Sequence, residues 1–123
     1  MPSIETVECF ARLVEAGQTL EAMVRFYSDH ASMQENTAMP RIGKSALIKH
    51  EEEALASITD FEAKCIRPIF VSGDFVVIRW VFEFKARDGK AVRFEELAHQ
   101  RWERDLIAEE QFFYDPAQFT GPE

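Results

Sequence analysis

FEAKCIRPIFVSGDFVVIRWVFEFKARDGKAVRFEELAHQRWERDLIAEEQFFYDP, residues 61–116, decides the fold. It divides into four runs: FEAKCIRPIFVS, GDFVVIRWVFEFKARDGK, AVRFEELAHQRWERD and LIAEEQFFYDP. Between them lie the turn sequences SGD, RDGK with its Asp88-Gly89 hairpin pair, and ERD. Branched and aromatic residues dominate each run, as pleated, half-buried surfaces require. In the second run Ile78, Trp80, Phe82 and Phe84 fall on one face and Arg79, Val81, Glu83 and Lys85 on the other. That period of two marks a strand with one covered side. Consecutive strands joined by such short turns form a long antiparallel meander.

Upstream the period changes. Ile4, Val7, Phe10, Ala11 and Val14 recur at three and four, a half-buried helix that Gly17 ends. Thr19 is placed to cap a second helix whose stripe is Leu20, Met23, Val24 and Tyr27. After His30 the alternation of a strand begins, with Ala31, Met33 and Glu35 sharing the inner face. TAMPRIG then turns the chain into a third helix over about residues 44–58. Its stripe is Leu47, Ala54, Leu55 and Ile58, with Glu51 near the stripe centre and His50 on its flank. Helices followed by a meander predict an α+β fold, three N-terminal helices packed in a strongly curved antiparallel sheet as one domain over 1–123. A curved sheet that its helices do not fill leaves a hollow suited to a small molecule.

Composition narrows the function. The chain has 123 residues, 46% of them hydrophobic, and a net charge of −8. An acidic surface repels a phosphate backbone, which argues against nucleic acid. MPSIETVECF has neither a basic leader nor a long apolar run, and no stretch approaches a bilayer span, so a cytoplasmic setting without a membrane is expected. Cys9 and Cys65, with no CxxC spacing, read as small apolar fillers in a reducing compartment. His30, His50 and His99 are far apart, and no HxxxH or HxH pattern offers a metal site.

Several segments together resemble one family: short opening helices, the step FYSDHASMQEN, the third helix opening GKSALI, and the finish WERDLIAEEQFFYDP. They resemble the nuclear transport factor 2-like superfamily, in particular its SnoaL-like, polyketide cyclase-like branch, over residues 4–116. The resemblance implies a cystatin-like cone and hosts cyclases, isomerases, hydrolases and binders without catalysis. Ketosteroid isomerase, a relative, pairs a carboxylate base with two oxyanion donors. The resemblance puts the base on Glu35 and the donors on Phe10 and Ala98, which can donate nothing. Steroid-type enolisation is therefore not expected here.

The resemblance, together with strand parity and helical angle, implies a candidate set. Glu35, on the inner strand face, would lose hydration and become a useful acid or base. His50, or its neighbour Glu51, would assist, and Tyr27 would orient the ligand. Trp80, Phe82, Gln100, Trp102, Glu110, Phe112 and Tyr114 lie on inward faces of the meander and are expected to contact the ligand. Two carboxylates in one hollow, Glu35 and Glu110, would split their pKa values, unless Arg12, Arg25 or Arg41 neutralises one. His99 is expected to face outward. No cofactor is implied, since there is no phosphate loop, flavin motif or metal set. The reading is an acid/base enzyme for a small, mostly apolar or carbonyl-bearing molecule, with a non-catalytic ligand-binding or dimerisation module as the alternative. Val81, Leu97 and Phe113 on the outer face point to a homodimer.

Overall fold

A computed structural model describes residues 1–120. Among them are four helices and six strands: α1 (Ile4–Glu15), α2 (Thr19–Phe26), β1 (Tyr27–Glu35), β2 (Arg41–Ile42), α3 (Lys44–Ala56), β3 (Thr59–Ser72), β4 (Phe75–Lys85), β5 (Ala91–Glu103), β6 (Leu106–Phe113) and α4 (Ala117–Thr120). The strands form one sheet in the order β2-β1-β6-β5-β4-β3. The expected meander is there, with β3 to β6 antiparallel. One pair departs from the expected antiparallel pattern: β1 runs parallel to β6, opposite Glu110 at Met33 and opposite Phe112 at Glu35.

The pairing stacks inward residues in rungs across the concave face. Val76, Gln100, Glu110 and Met33 form one rung, and Ile78, Ala98, Phe112 and Glu35 the next. Cys65, Trp80 and Glu96 follow, then Ala63, Phe82 and Phe94. Side chains in one rung are neighbours and adjacent rungs are two residues apart, so this face is a grid.

α1 and α2 close over the Trp102 end of the sheet, whereas Trp80, Phe82, Phe94 and Glu96 of the later rungs border a cavity. Phe10 of α1 and Phe26 of α2 both meet the Trp102 ring edge-on, at 6.2 Å between centroids. Val7, Ala11, Ala22, Met23 and Leu47 close the rest of this core. Ser3 caps α1 by accepting from the Thr6 N–H at 3.1 Å. Arg67 on β3 pins the same helix, reaching Glu8 at 3.0 Å and Glu15 at 2.9 Å.

Sequence and structure differ at several points. Tyr27 opens β1 instead of closing α2, because the chain turns extended as soon as Phe26 is buried. Thr19 is the first residue of α2 but caps nothing; Gln18 precedes it without a side-chain cap. Ile4 and Val24, placed in the stripes, are exposed. Cys65 is buried as expected, but Cys9 is exposed. α3 is the least buried of the long helices: among its described residues only Leu47 is buried. Among the described residues no helix is long and apolar enough to cross a membrane.

Candidate functional site

The later rungs of the sheet face α3 across a cavity of about 330 Å³, which Phe10 and Val14 of α1 and Thr19 and Met23 of α2 also border. Its walls are mostly rings. Trp80 and Phe82 stack at 5.7 Å, Phe61 and Phe82 at 5.6 Å, and Phe82 meets Phe94 at 5.1 Å. Phe119 of α4 continues the wall at 4.7 Å from Phe94. This short helix was not legible in the sequence. It is docked by Gln118, which accepts from the Glu95 N–H at 2.8 Å and donates to the Glu95 carbonyl at 3.0 Å.

Four glutamates interrupt the apolar lining among the described residues: Glu35, Glu51, Glu96 and Glu110, with His50 and Tyr27. Of these, Glu110 is held most firmly. The Tyr27 hydroxyl donates to its Oε1, and Gln100 Nε2 donates to its Oε2 at 2.7 Å. Trp102 Nε1 in turn donates to Gln100 Oε1 at 2.9 Å. An indole N–H can only donate, so it fixes which end of the Gln100 amide faces Glu110. Burial pushes the Glu110 pKa up to about 7, against the two hydrogen bonds that favour its charged form. The same burial, with the neighbouring Glu110, drives the Tyr27 pKa well above its ordinary value, keeping the hydroxyl a donor.

Glu96 is the residue that sequence reading missed. It sits opposite Trp80 in the third rung and is only 9% exposed. Among the described residues no hydrogen bond or ion pair reaches its carboxyl. Desolvation first, then repulsion from Glu110, Glu35 and Glu51, lifts its pKa to about 9. Glu51 on α3 is raised as well, by desolvation and by Glu35. The missed signal was strand parity: Glu96 shares its face with Ala98 and Gln100, but Glu95-Glu96 reads as a solvated charge pair.

The expected residues separate into three groups. Tyr27, Glu35, His50, Glu51, Trp80, Phe82, Glu110 and Phe112 all line the cavity, together with Phe10. Gln100 and Trp102 do not; they lie completely buried behind Glu110, under α1 and α2, and act through it. Tyr114 is also outside the lining, because the chain leaves the strand at Phe113; its ring packs on Phe94 and Phe119, which do line the cavity. Glu35 is placed as expected on the inner face, but its side chain is 42% exposed and pairs with Arg41 at 3.5 Å. The desolvation anticipated at Glu35 is found at Glu96 and Glu110 instead. Phe10 and Ala98 are both buried and offer no donor. His99 faces outward against Phe75, at 5.5 Å. Among the described residues no three His, Cys, Asp or Glu side chains are grouped to hold a metal.

Known proteins share this architecture. A protein assigned as a SnoaL-like polyketide cyclase from Mesorhizobium loti superposes with a TM-score of 0.79 at 21% identity, over 93% of this chain and 100% of that one. A protein with a ketosteroid isomerase-like fold from Catenulispora acidiphila, in complex with trimethylamine, gives 0.78 at 16% identity, over 96% and 94% of the two chains. TerC, co-crystallised with polyporic acid, gives 0.80 at 11% identity, over 98% and 96%. No curated protein matches the chain significantly. These likenesses establish the cone fold. A family model for the SnoaL-like domain matches residues 7–110, most of the chain, and the protein therefore belongs to the SnoaL-like family.

Proposed function

We propose that this protein is a cofactor-independent acid/base catalyst for a small, mostly apolar, carbonyl-bearing molecule bound between α3 and the sheet. One observation carries the reading: two carboxyl groups in one ring-lined cavity have unlike surroundings, Glu110 hydrogen-bonded and Glu96 alone. Environments that separate two carboxyls in this way divide the roles of acid and base. Glu110, with a pKa of about 7, is the base. It takes a proton from the carbon beside the carbonyl, and the electron pair moves onto the carbonyl oxygen. Glu96, protonated up to about pH 9, donates a hydrogen bond to that oxygen. Return of the proton to another carbon gives an isomer; attack of the enol carbon on a second carbonyl closes a ring.

Tyr27 holds Glu110 in this scheme and does not orient the substrate. His50 and Glu51 line the cavity from α3 and Glu35 from β1, where they assist the transfer. A homodimer through the outer face is part of the same reading: Leu97 and Phe113 lie side by side on it, 45% and 44% exposed. Val81, expected beside them, is buried next to ion-paired Glu95 and does not contribute. The two free cysteines support a reducing, cytoplasmic setting.

A panel of apolar ketones in deuterated water tests the assignment. NMR should show deuterium entering the carbon beside the carbonyl faster than in buffer, and Glu110→Gln should abolish it. Ketones that bind without any such exchange would leave the second reading, a binding module without turnover. Phe10 and Ala98, standing where a relative has its donors, favour that alternative.

A further inference from the structure

The cavity has a charge imbalance that a neutral substrate does not resolve. Its ionisable lining is four glutamates, His50 and Tyr27, and among the described residues no Lys or Arg lines it. Arg41, which reaches the lining at Glu35, is taken up by that ion pair. An anionic ligand would face these carboxyls with nothing to offset them. Two polar groups also await a partner. The buried Glu96 carboxyl has none, and Thr19 Oγ1, on the same lining, is buried without a hydrogen bond among the described residues. Beside Glu96 on the same sheet face stand the stacked rings of Trp80 and Phe82, with Phe61 stacked on Phe82. Aromatic rings beside desolvated carboxyls are what an organic cation needs, since ring quadrupole and acid both attract it while no strongly hydrated ion would enter.

We propose that the ligand of this cavity bears an aliphatic ammonium group, seated between the Trp80, Phe82 and Phe61 rings and the Glu51 carboxyl, with Glu96 left protonated to donate to the ligand's carbonyl oxygen. The assignment rests on reading the cavity as a ligand site and narrows the carbonyl compound to one that also carries a tertiary or quaternary amine. The cation replaces a proton that the crowded acids otherwise retain, so binding releases a proton to the buffer. Glu51, whose burial and whose neighbour Glu35 favour its protonated form, is the group that gives up this proton.

Three probes test it by calorimetry on the intact protein, above the Glu110 value of about 7. They are choline, its neutral isostere with carbon in place of nitrogen, and benzylacetone as a neutral ketone. Choline should bind roughly tenfold or more tightly than the isostere, a gap within reach of cation–π and carboxylate attraction. Repeating the titration in buffers of different ionisation enthalpy should reveal proton release. Glu51→Gln should shrink the preference and the release together, whereas Glu96→Gln, a neutral isostere of the protonated acid, should leave both unchanged. Equal or tighter binding of the isostere, or no choline binding at millimolar concentration, overturns the ammonium assignment. Should benzylacetone bind in that case, the acid/base reading survives. Choline binding with benzylacetone excluded would instead sink the carbonyl reading alone.

Discussion

Glu96→Gln separates the effect of a buried acid from every other influence on stability. Folded Glu96 keeps its proton to about pH 9, whereas the unfolded chain releases it near the ordinary value of 4.5. The folded state therefore binds more protons across this window, and its stability falls as pH rises through it. Each unit of pH costs up to about 1.4 kcal/mol while the folded group stays protonated and the unfolded one is ionised. Gln cannot ionise, so its own amide contributes an offset that does not vary with pH. The stability difference between variant and wild type should thus widen in favour of the variant from about pH 5 to about pH 8. Water admitted to the cavity softens the limiting value of about 4 kcal/mol, leaving a change on the order of 2 to 4 kcal/mol. Against a typical total of about 5–15 kcal/mol that is a large share. In urea melts it moves the midpoint difference by roughly 1–2 M. Glu8 and Glu15, lowered by Arg67, act in the opposite sense, losing stability as pH falls below their ordinary range, and cancel in the comparison. Parallel pH profiles for the two proteins would refute the claim that a desolvated, partnerless carboxyl lies at position 96.

Other perturbations probe the network and the surface. Tyr27→Phe removes a donor to Glu110, and its pKa should rise by about one unit, read by carbon-13 NMR of the carboxyl. Trp102→Phe frees Gln100 to turn its carbonyl toward Glu110, which favours the protonated acid; the same titration should move upward, and an unchanged value would mean that the indole does not set the amide's orientation. Leu97→Asp with Phe113→Asp places like charges on adjacent strands of the proposed dimer face, so sedimentation should show a monomer while the melting curve changes little.

How much of this was legible depended on whether one residue's pattern pointed one way. The meander was readable because Val76, Ile78, Trp80, Phe82 and Phe84 hold one face of β4, and Ala31, Met33 and Glu35 share their face as parity requires. Tyr27 was not, because it satisfies two patterns at once: seven residues beyond Leu20 in a helical stripe and first in a strand. Parity also gives the face of a strand but not the depth below a covering helix. Gln100 and Trp102 therefore appeared equivalent to Trp80, yet Phe10 and Phe26 seal the Trp102 end of the sheet. Glu96 was hidden by its chemistry, since no hydrophobic scale places a glutamate opposite a buried tryptophan; only the register does.

The uneven burial of α3 has a mechanical consequence. Its first turns are anchored: the Gly43 N–H donates to the Ala31 carbonyl at 2.8 Å, Lys44 Nζ to the Val24 carbonyl at 2.6 Å, and Leu47 is buried. Its later turns, with His50, Glu51, Ala54 and Leu55, border the cavity. The helix is an arm held at its base by these contacts and joined at its tip to β3 through Ser57 and Ile58. A bulky guest is expected to displace this arm rather than the sheet behind it. Amide hydrogens beyond His50 should accordingly exchange faster than those near Leu47, and a guest that props against the arm should slow them.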